Sequence, residues 1–154
     1  MVPPRIYLNT RALNRPFDDG RSVRVRREAE AVLFLIEAVG QGLPTLIRSA
    51  YLEFEADRNP DRERAQRVAS LLDLATLSVS VSESIVSRAR ELEAVGLRGL
   101  DAMHVASAEA AAARLLVTTD DRLLRRAARA DLKRSLVVVD PVAAVAVLDP
   151  ELRQ

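Results

Sequence analysis

The chain has 154 residues, 49% of them hydrophobic, enough to bury one sizeable core and too few for two ordinary domains. Lys and Arg number 23 against 22 Asp and Glu, so no overall positive field marks a nucleic-acid binder, and any such contact has to come from a local patch. The absence of cysteine excludes a disulfide framework, a thiolate nucleophile and zinc-thiolate ligation.

MVPPRIYLNT lacks the long apolar run of a signal peptide, and no apolar segment approaches the roughly 20 residues of a membrane span. The expectation is a single domain over residues 1–154, cytoplasmic and with no membrane contact. Arg5 to Asn9 reads as a short, buried, central strand, because Ile6, Tyr7 and Leu8 follow a Pro pair. Asn14 to Gly20 is dense in turn formers and leads into a helix over Ser22 to Val39, where Val25, Ala29, Val32, Leu33 and Ile36 recur at helical spacing. Gly40 and Gly42 close it, Pro44 to Ile47 is a second strand, and Ser49 caps a helix carrying Tyr51 to Ala56.

Asn59-Pro60-Asp61 breaks that helix. Ala65, Val68, Leu71, Leu72 and Ala75 make another, followed by a strand over Leu77 to Val81. Ser82 caps a helix running to about Val95. Gly96 and Gly99 separate it from an Ala-rich helix over Leu100 to Ala113. Leu115 to Thr118 is an apolar strand ending at Asp120-Asp121, and a short Arg-rich helix follows. Leu136 to Val139 is the last strand, with Pro141 in the first turn of a helix through Val147. Strands separated by helical segments of this length predict an α/β, Rossmann-like parallel sheet flanked by helices on both faces.

In such sheets ligands gather beyond the carboxyl ends of the strands, which directs attention to four positions. Asn9 stands at the mouth of the first strand, where its single neutral oxygen is a weaker ligand than a carboxylate; a turn-forming role competes. Glu53 and Glu55 are two apart on one helix and so face different ways. Glu55 shares a face with Tyr51 and Leu52, making it the inward choice. Asp101 opens a helix, where an acid also suits the helix dipole. Asp120 lies at a strand mouth, with Asp121 nearer the following helix, so Asp120 is the expected ligand of the two. His104, the only histidine, shares a face with Asp101 and is read as packing rather than catalytic. Clustered carboxylates repel unless a cation intervenes.

Ile6-Tyr7-Leu8-Asn9-Thr10, Asn14 to Asp19, Ser49 through Glu55, Asp101 to Ala106 and Thr118-Thr119-Asp120-Asp121 resemble the successive motifs of a PIN domain, over nearly the whole chain. That family includes the VapC-type toxins of toxin–antitoxin pairs. The resemblance implies a Mg²⁺- or Mn²⁺-dependent ribonuclease with an RNA substrate, an antitoxin protein as partner and a homodimeric assembly. Carried over by motif, the acids that catalyse and hold metal fall on Glu55, Asp101 and Asp120. Asn9 occupies the position where the family has Asp, and Thr10, Thr118 and Asp121 support the site. The replacement at Asn9 implies a weakened or inactive enzyme, and a non-catalytic PIN-like module that binds RNA or protein is the alternative.

For the RNA backbone the candidates are Arg15, Arg24, Arg27 and Arg122, with Arg125 and Arg126 close by. Against them stands the pairing of Arg24 with Glu28 and Arg26 with Glu30 at helical i,i+4 spacing, the mark of a solvated face. Two other Mg²⁺-using α/β folds fail at a key residue. A haloacid-dehalogenase-like phosphatase needs a second Asp where Arg11 stands, and a receiver domain needs an Asp in place of Ser80-Val81-Ser82.

Overall fold

A computed structural model describes residues 2–152. The elements in chain order are β1 (Arg5–Leu8), α1 (Thr10–Asn14), a 3-10 turn (Arg15–Phe17), α2 (Val23–Gly40), β2 (Thr45–Ser49), α3 (Ala50–Asp57) and α4 (Arg62–Leu72). They continue as β3 (Leu77–Val79), α5 (Glu83–Ala94), α6 (Gly99–Ala110), β4 (Leu115–Val117), α7 (Asp121–Ala128), β5 (Val137–Val139) and α8 (Pro141–Leu152).

All strand pairings are parallel, and the five-stranded sheet runs β3-β2-β1-β4-β5. This is the expected α/β class, flanked by helices. The chain steps outward from β1 to β3, then crosses back to β4 on the far side of β1. Right-handed crossovers therefore place α2 and the packed pair α5–α6 on opposite faces. The reversal opens a crevice between the carboxyl ends of β1 and β4.

Ile6, Tyr7 and Leu8 are wholly buried, as are Leu116 and Val117, so the predicted central position of the first strand is correct. Side-chain caps define most of the helix starts, α6 being the exception. Asn9, Ser22, Ser49, Asp61, Ser82 and Asp120 each accept a backbone N–H from the first turn of the following helix.

The structure differs from the sequence reading in several places. The helix α1 was not anticipated; Asn9 turns the chain into it directly from β1. The strand predicted over Leu77 to Val81 stops at Val79, because its neighbour β2 ends at the paired residue Ser49 and turns into α3. The fourth helix ends at Leu72 rather than Ala75, with Asp73 as its C-cap, while α8 continues past Val147 through Pro150 to Leu152.

The Ala-rich helix ends at Ala110, three residues early. Ala112 N–H bonds to the Glu109 carbonyl and Ala113 N–H to the Ala108 carbonyl, the two closing bonds of a Schellman motif. The motif puts Ala112 at φ +56°, a left-handed conformation where Cβ is penalised. Glycine removes that penalty but gives up more freedom on folding. Ala112→Gly is therefore expected to stabilise the fold by about 0.5–1 kcal/mol, read as a higher denaturant midpoint at unchanged slope; a lower midpoint would show that the left-handed residue carries no strain.

Candidate active site

Glu55 lies on α3 two turns after its Ser49 cap, with its side chain turned inward. Its Oε1 accepts hydrogen bonds from the Thr10 hydroxyl and from His104 Nε2, the latter at 2.9 Å. Glu53 instead pairs with Arg48 at 2.6 Å on the exposed side, as the helical spacing requires. Burial alone would raise the Glu55 pKa. The hydrogen bonds from His104 and Thr10, with the Arg11 charge, outweigh it and hold the carboxyl below the usual range.

Asp101 sits in the first turn of α6 and is half-buried. Its carboxyl is pushed up by burial and by the negative charges of Asp120 and Glu55. Each of the three acids expected from the sequence thus enters a common electrostatic environment, and Asp101 is the one left poorly compensated.

Asn9 and Thr118 link the two strand mouths. Asn9 Nδ2 donates to Thr118 Oγ1 at 2.8 Å, and Asn9 Oδ1 accepts the Ala12 N–H at 3.1 Å. Both ends of the Asn9 side chain are therefore engaged. The same Thr118 oxygen accepts the Asp120 N–H at 3.1 Å, which fixes the backbone where β4 gives way to α7. Asp120 itself caps α7, its Oδ1 accepting the Arg122 N–H at 2.9 Å, while Oδ2 lies 3.7 Å from Arg11 Nε. Asp121 takes no part in that cap. Arg24 grips it with two hydrogen bonds of 2.7 and 2.9 Å and keeps its carboxyl ionised to lower pH than usual.

An open groove of about 680 Å³ adjoins Asp120, lined by Arg11, Arg15, Arg24, Arg122 and Arg125 beside Asp120 and Asp121. Three of the four arginines expected to meet a polyanion are gathered here; Arg27 is exposed on α2 and does not line the groove. The predicted Arg24–Glu28 pair forms at 3.4 Å, yet Glu28 is buried and is shared with Arg15 at 3.1 Å. Arg26 bonds the carbonyls of Gly20 and Arg21 in place of the expected Glu30.

Arg11 was missed from the sequence, as were the polar roles of Tyr7 and His104. His104 is buried, as packing requires, but both of its ring nitrogens are hydrogen-bonded. A tyrosine in the middle of a central strand was the available signal, since a buried phenol needs a partner.

As a metal site the cluster fits one kind of ion better than another. Among the described residues, no three His, Asp or Glu side chains come close enough to hold a metal ion between them. A closed all-protein cage is therefore not built. The donor set is nonetheless hard oxygen, and the uncompensated charge around Asp101 favours a cation. Both features suit Mg²⁺ or Mn²⁺, since Mg²⁺ uses one or two carboxylates and retains several waters.

A doubly wound sheet with acids at its switch point is the class of protein defined so far. The PIN domain profile matches residues 6–130, and the chain belongs to the PIN domain family, whose members are typically metal-dependent endoribonucleases. A crystal structure of VapBC2 from Rickettsia felis, bound to a DNA fragment from its promoter, is similar at TM-score 0.59 and 14% identity, covering 88% of this chain and 98% of that one. PAE2754 from Pyrobaculum aerophilum is similar at TM-score 0.54 and 17% identity, covering 98% and 91% respectively. No curated protein matches the chain. No helix among the described residues is long and apolar enough to cross a membrane.

The opposite shifts of Asp101 and Glu55 predict opposite pH effects in chelator-treated protein. With its folded pKa raised, Asp101 destabilises the fold at neutral pH, and this penalty disappears as pH falls through the carboxylate range. Asp101→Asn should therefore unfold at a higher temperature than the unsubstituted chain at pH 7, the advantage vanishing in acid. Glu55, with its pKa lowered, stabilises the fold above the ordinary carboxylate pKa and loses that contribution as pH falls through its folded value. Glu55→Gln should thus be less stable at pH 7, with a deficit that shrinks in acid. Equal thermal curves for all three proteins at pH 7 would remove the proposed charge coupling.

Proposed function

We propose that the chain is a single-domain, divalent-metal-dependent endoribonuclease whose activity is weakened by Asn9. The observation that carries this reading is the coupling of Asp101 to both Asp120 and Glu55 at the β1–β4 switch point, beside an arginine-lined groove. Asp101 with one of its acidic neighbours, Asp120 through Oδ2 or Glu55, would hold Mg²⁺ or Mn²⁺, with waters completing the shell. Such an ion polarises a phosphoryl oxygen and lowers the pKa of bound water. Asn9 contributes at most one neutral oxygen, already engaged by the α1 cap.

Arg11 and Arg122 flank Asp120 and hold the phosphodiester against the acids, with Arg125 further along the groove. Arg15 and Arg24 shape its wall more than they bind, because Asp18, Glu28 and Asp121 occupy their guanidinium groups. Thr118 orients Asp120 through its backbone, and Thr10 orients Glu55. An antitoxin polypeptide, a second copy of the chain and a cytoplasmic setting complete this reading by family likeness.

Asn9→Asp is the decisive substitution. Asp is close to isosteric with Asn, its Oδ1 can keep the Ala12 N–H, and the Thr118 hydroxyl can turn to donate to Oδ2 while still accepting from Asp120. The carboxylate therefore enters without backbone change and adds a charged ligand. We expect Mn²⁺-dependent cleavage of a mixed RNA substrate to rise by at least about 100-fold, the size of effect lost with one electrostatic catalytic group. Glu55→Gln or Asp101→Asn in that background should abolish the gain. No cleavage by the folded Asn9→Asp protein would favour the second reading, a non-catalytic RNA- or protein-binding module, for which the complete engagement of Asn9 speaks.

The groove makes a separate prediction. Arg122→Ala should reduce the slope of log affinity for single-stranded RNA against log salt by about 0.7, the value for one phosphate contact on a single strand. Arg27→Ala should leave that slope unchanged, and equal slopes for all three proteins would place the RNA elsewhere.

A further inference from the structure

A chain of four hydrogen-bonded side chains runs through the core beneath the acids. Ser49 Oγ lies 2.7 Å from the Tyr7 hydroxyl, that hydroxyl lies 2.6 Å from His104 Nδ1, and His104 Nε2 lies 2.9 Å from Glu55 Oε1. Ser49, Tyr7 and His104 are buried, and they come from β2, β1 and α6.

The direction of each bond follows by elimination. An ionised carboxylate only accepts, so the proton between His104 and Glu55 belongs to Nε2. In the neutral ring, which carries a single N–H, Nδ1 is then bare and accepts, which makes Tyr7 the donor to it. Burial pushes the Tyr7 phenol far above its ordinary pKa and keeps that O–H in place. With its proton committed to His104, the Tyr7 oxygen accepts from the Ser49 hydroxyl. Ser49 Oγ in turn accepts the Leu52 N–H at 3.1 Å as the cap of α3, the helix that carries Glu55.

We propose that His104, carrying its proton on Nε2, is a positioning residue that holds Glu55 in the site, its tautomer fixed by the Tyr7–Ser49 hydroxyl chain. This rests on the reading of Glu55 as an acid of the site. The chain ties α3 down twice, at its cap through Ser49 and in its second turn through Glu55, with both ties ending on the buried Tyr7–His104 pair. Thr10 and His104 grip the same carboxylate oxygen, Oε1, so neither engages Oε2. An apolar packing role for the ring would need none of these donors in register.

Because His104 is the only histidine, its imidazole nitrogens can be read without ambiguity in a long-range ¹H–¹⁵N correlation spectrum of the labelled full chain. We expect one tautomer, with an N–H type Nε2 and a bare Nδ1. Tyr7→Phe removes the donor to Nδ1 and should give a mixture of tautomers. A proton on Nδ1 in the unsubstituted chain would overturn the proposal.

A second measurement reads the effect on Glu55. In the Asn9→Asp chain, His104→Leu should weaken Mn²⁺ binding by about 10–100-fold, the usual effect of removing a partner of a metal ligand. His104→Gln, whose carboxamide can donate from the same place, should recover most of that loss. In RNA cleavage, His104→Leu should lower kcat with KM little changed, because the groove arginines are untouched. Full Mn²⁺ affinity in folded His104→Leu, or no recovery with Gln, counts against positioning. If His104→Leu does not fold, the tautomer and its response to Tyr7→Phe decide. Absence of cleavage by Asn9→Asp itself would sink the nuclease reading, while the tautomer would still decide the role of His104.

Discussion

Strand β1 is hydrogen-bonded along both edges, to β2 on one side and β4 on the other, and its side chains from Ile6 to Leu8 are wholly buried. No other strand carries so much of the site. Its last residues project Tyr7 toward β2 and α6, and the chain then turns at Asn9 into the mouth of β4. A residue at that turn must satisfy its polar atoms in near-complete burial, which explains why Asn9 caps α1 with one atom and bonds Thr118 with the other. The register of β1 against β4, with Leu8 opposite Val117, brings Asn9 and Thr118 within reach of each other. A slip of one residue would turn both toward opposite faces and dismantle the site.

The near balance of charge over the whole chain conceals a strong local asymmetry. Arginines and carboxylates are sorted into pairs on the outer surface, as in Arg48–Glu53 and Arg67–Glu63, which contribute little to stability but leave no net field. At the carboxyl end of the sheet the sorting is incomplete. Arg15 and Arg24 are held by Asp18, Glu28 and Asp121, while Arg11 reaches Asp120 only at 3.7 Å. The result is an acidic crevice with a basic margin, the arrangement that lets a polyanion approach acids that would otherwise repel it. Such a margin is a matter of where α1, α2 and α7 begin, and no charge count can reveal it.

That distinction explains how much could be read from the sequence. Strand positions, Ser49 and Ser82 as caps, and the inward turn of Glu55 follow from short-range periodicity and local hydrogen bonding, and they were legible. The boundaries that shifted were set by partners distant in sequence. The strand at Leu77 stops where β2 stops, and no local pattern around Val81 shows it. Of the candidate acids, Asp101 and Asp120 were legible at helix starts and Glu55 by the inward face of its helix. Arg11 was not, since its relation to Asp120 depends on α1, a five-residue helix with no periodicity to detect. His104 was legible as buried, but its two hydrogen bonds join it to residues 97 and 49 positions away.

Asn9 is where the demands of folding and of chemistry diverge. In the metal-free protein, a carboxylate at this position would add a fourth negative charge to a crevice in which Asp101 is already pushed toward its neutral form by burial and by Asp120 and Glu55. Its burial would compound the penalty. The amide avoids both effects, supplies its own donor to Thr118 and leaves a closed set of hydrogen bonds. Aspartate would reverse the balance only when a cation is present, because the cation converts mutual repulsion into shared ligation. Residue 9 thus sets how much negative charge the crevice must balance, and asparagine lowers it by one charge relative to aspartate. The rest of the crevice, from the Thr118 bridge to the His104 support beneath Glu55, is compatible with either residue.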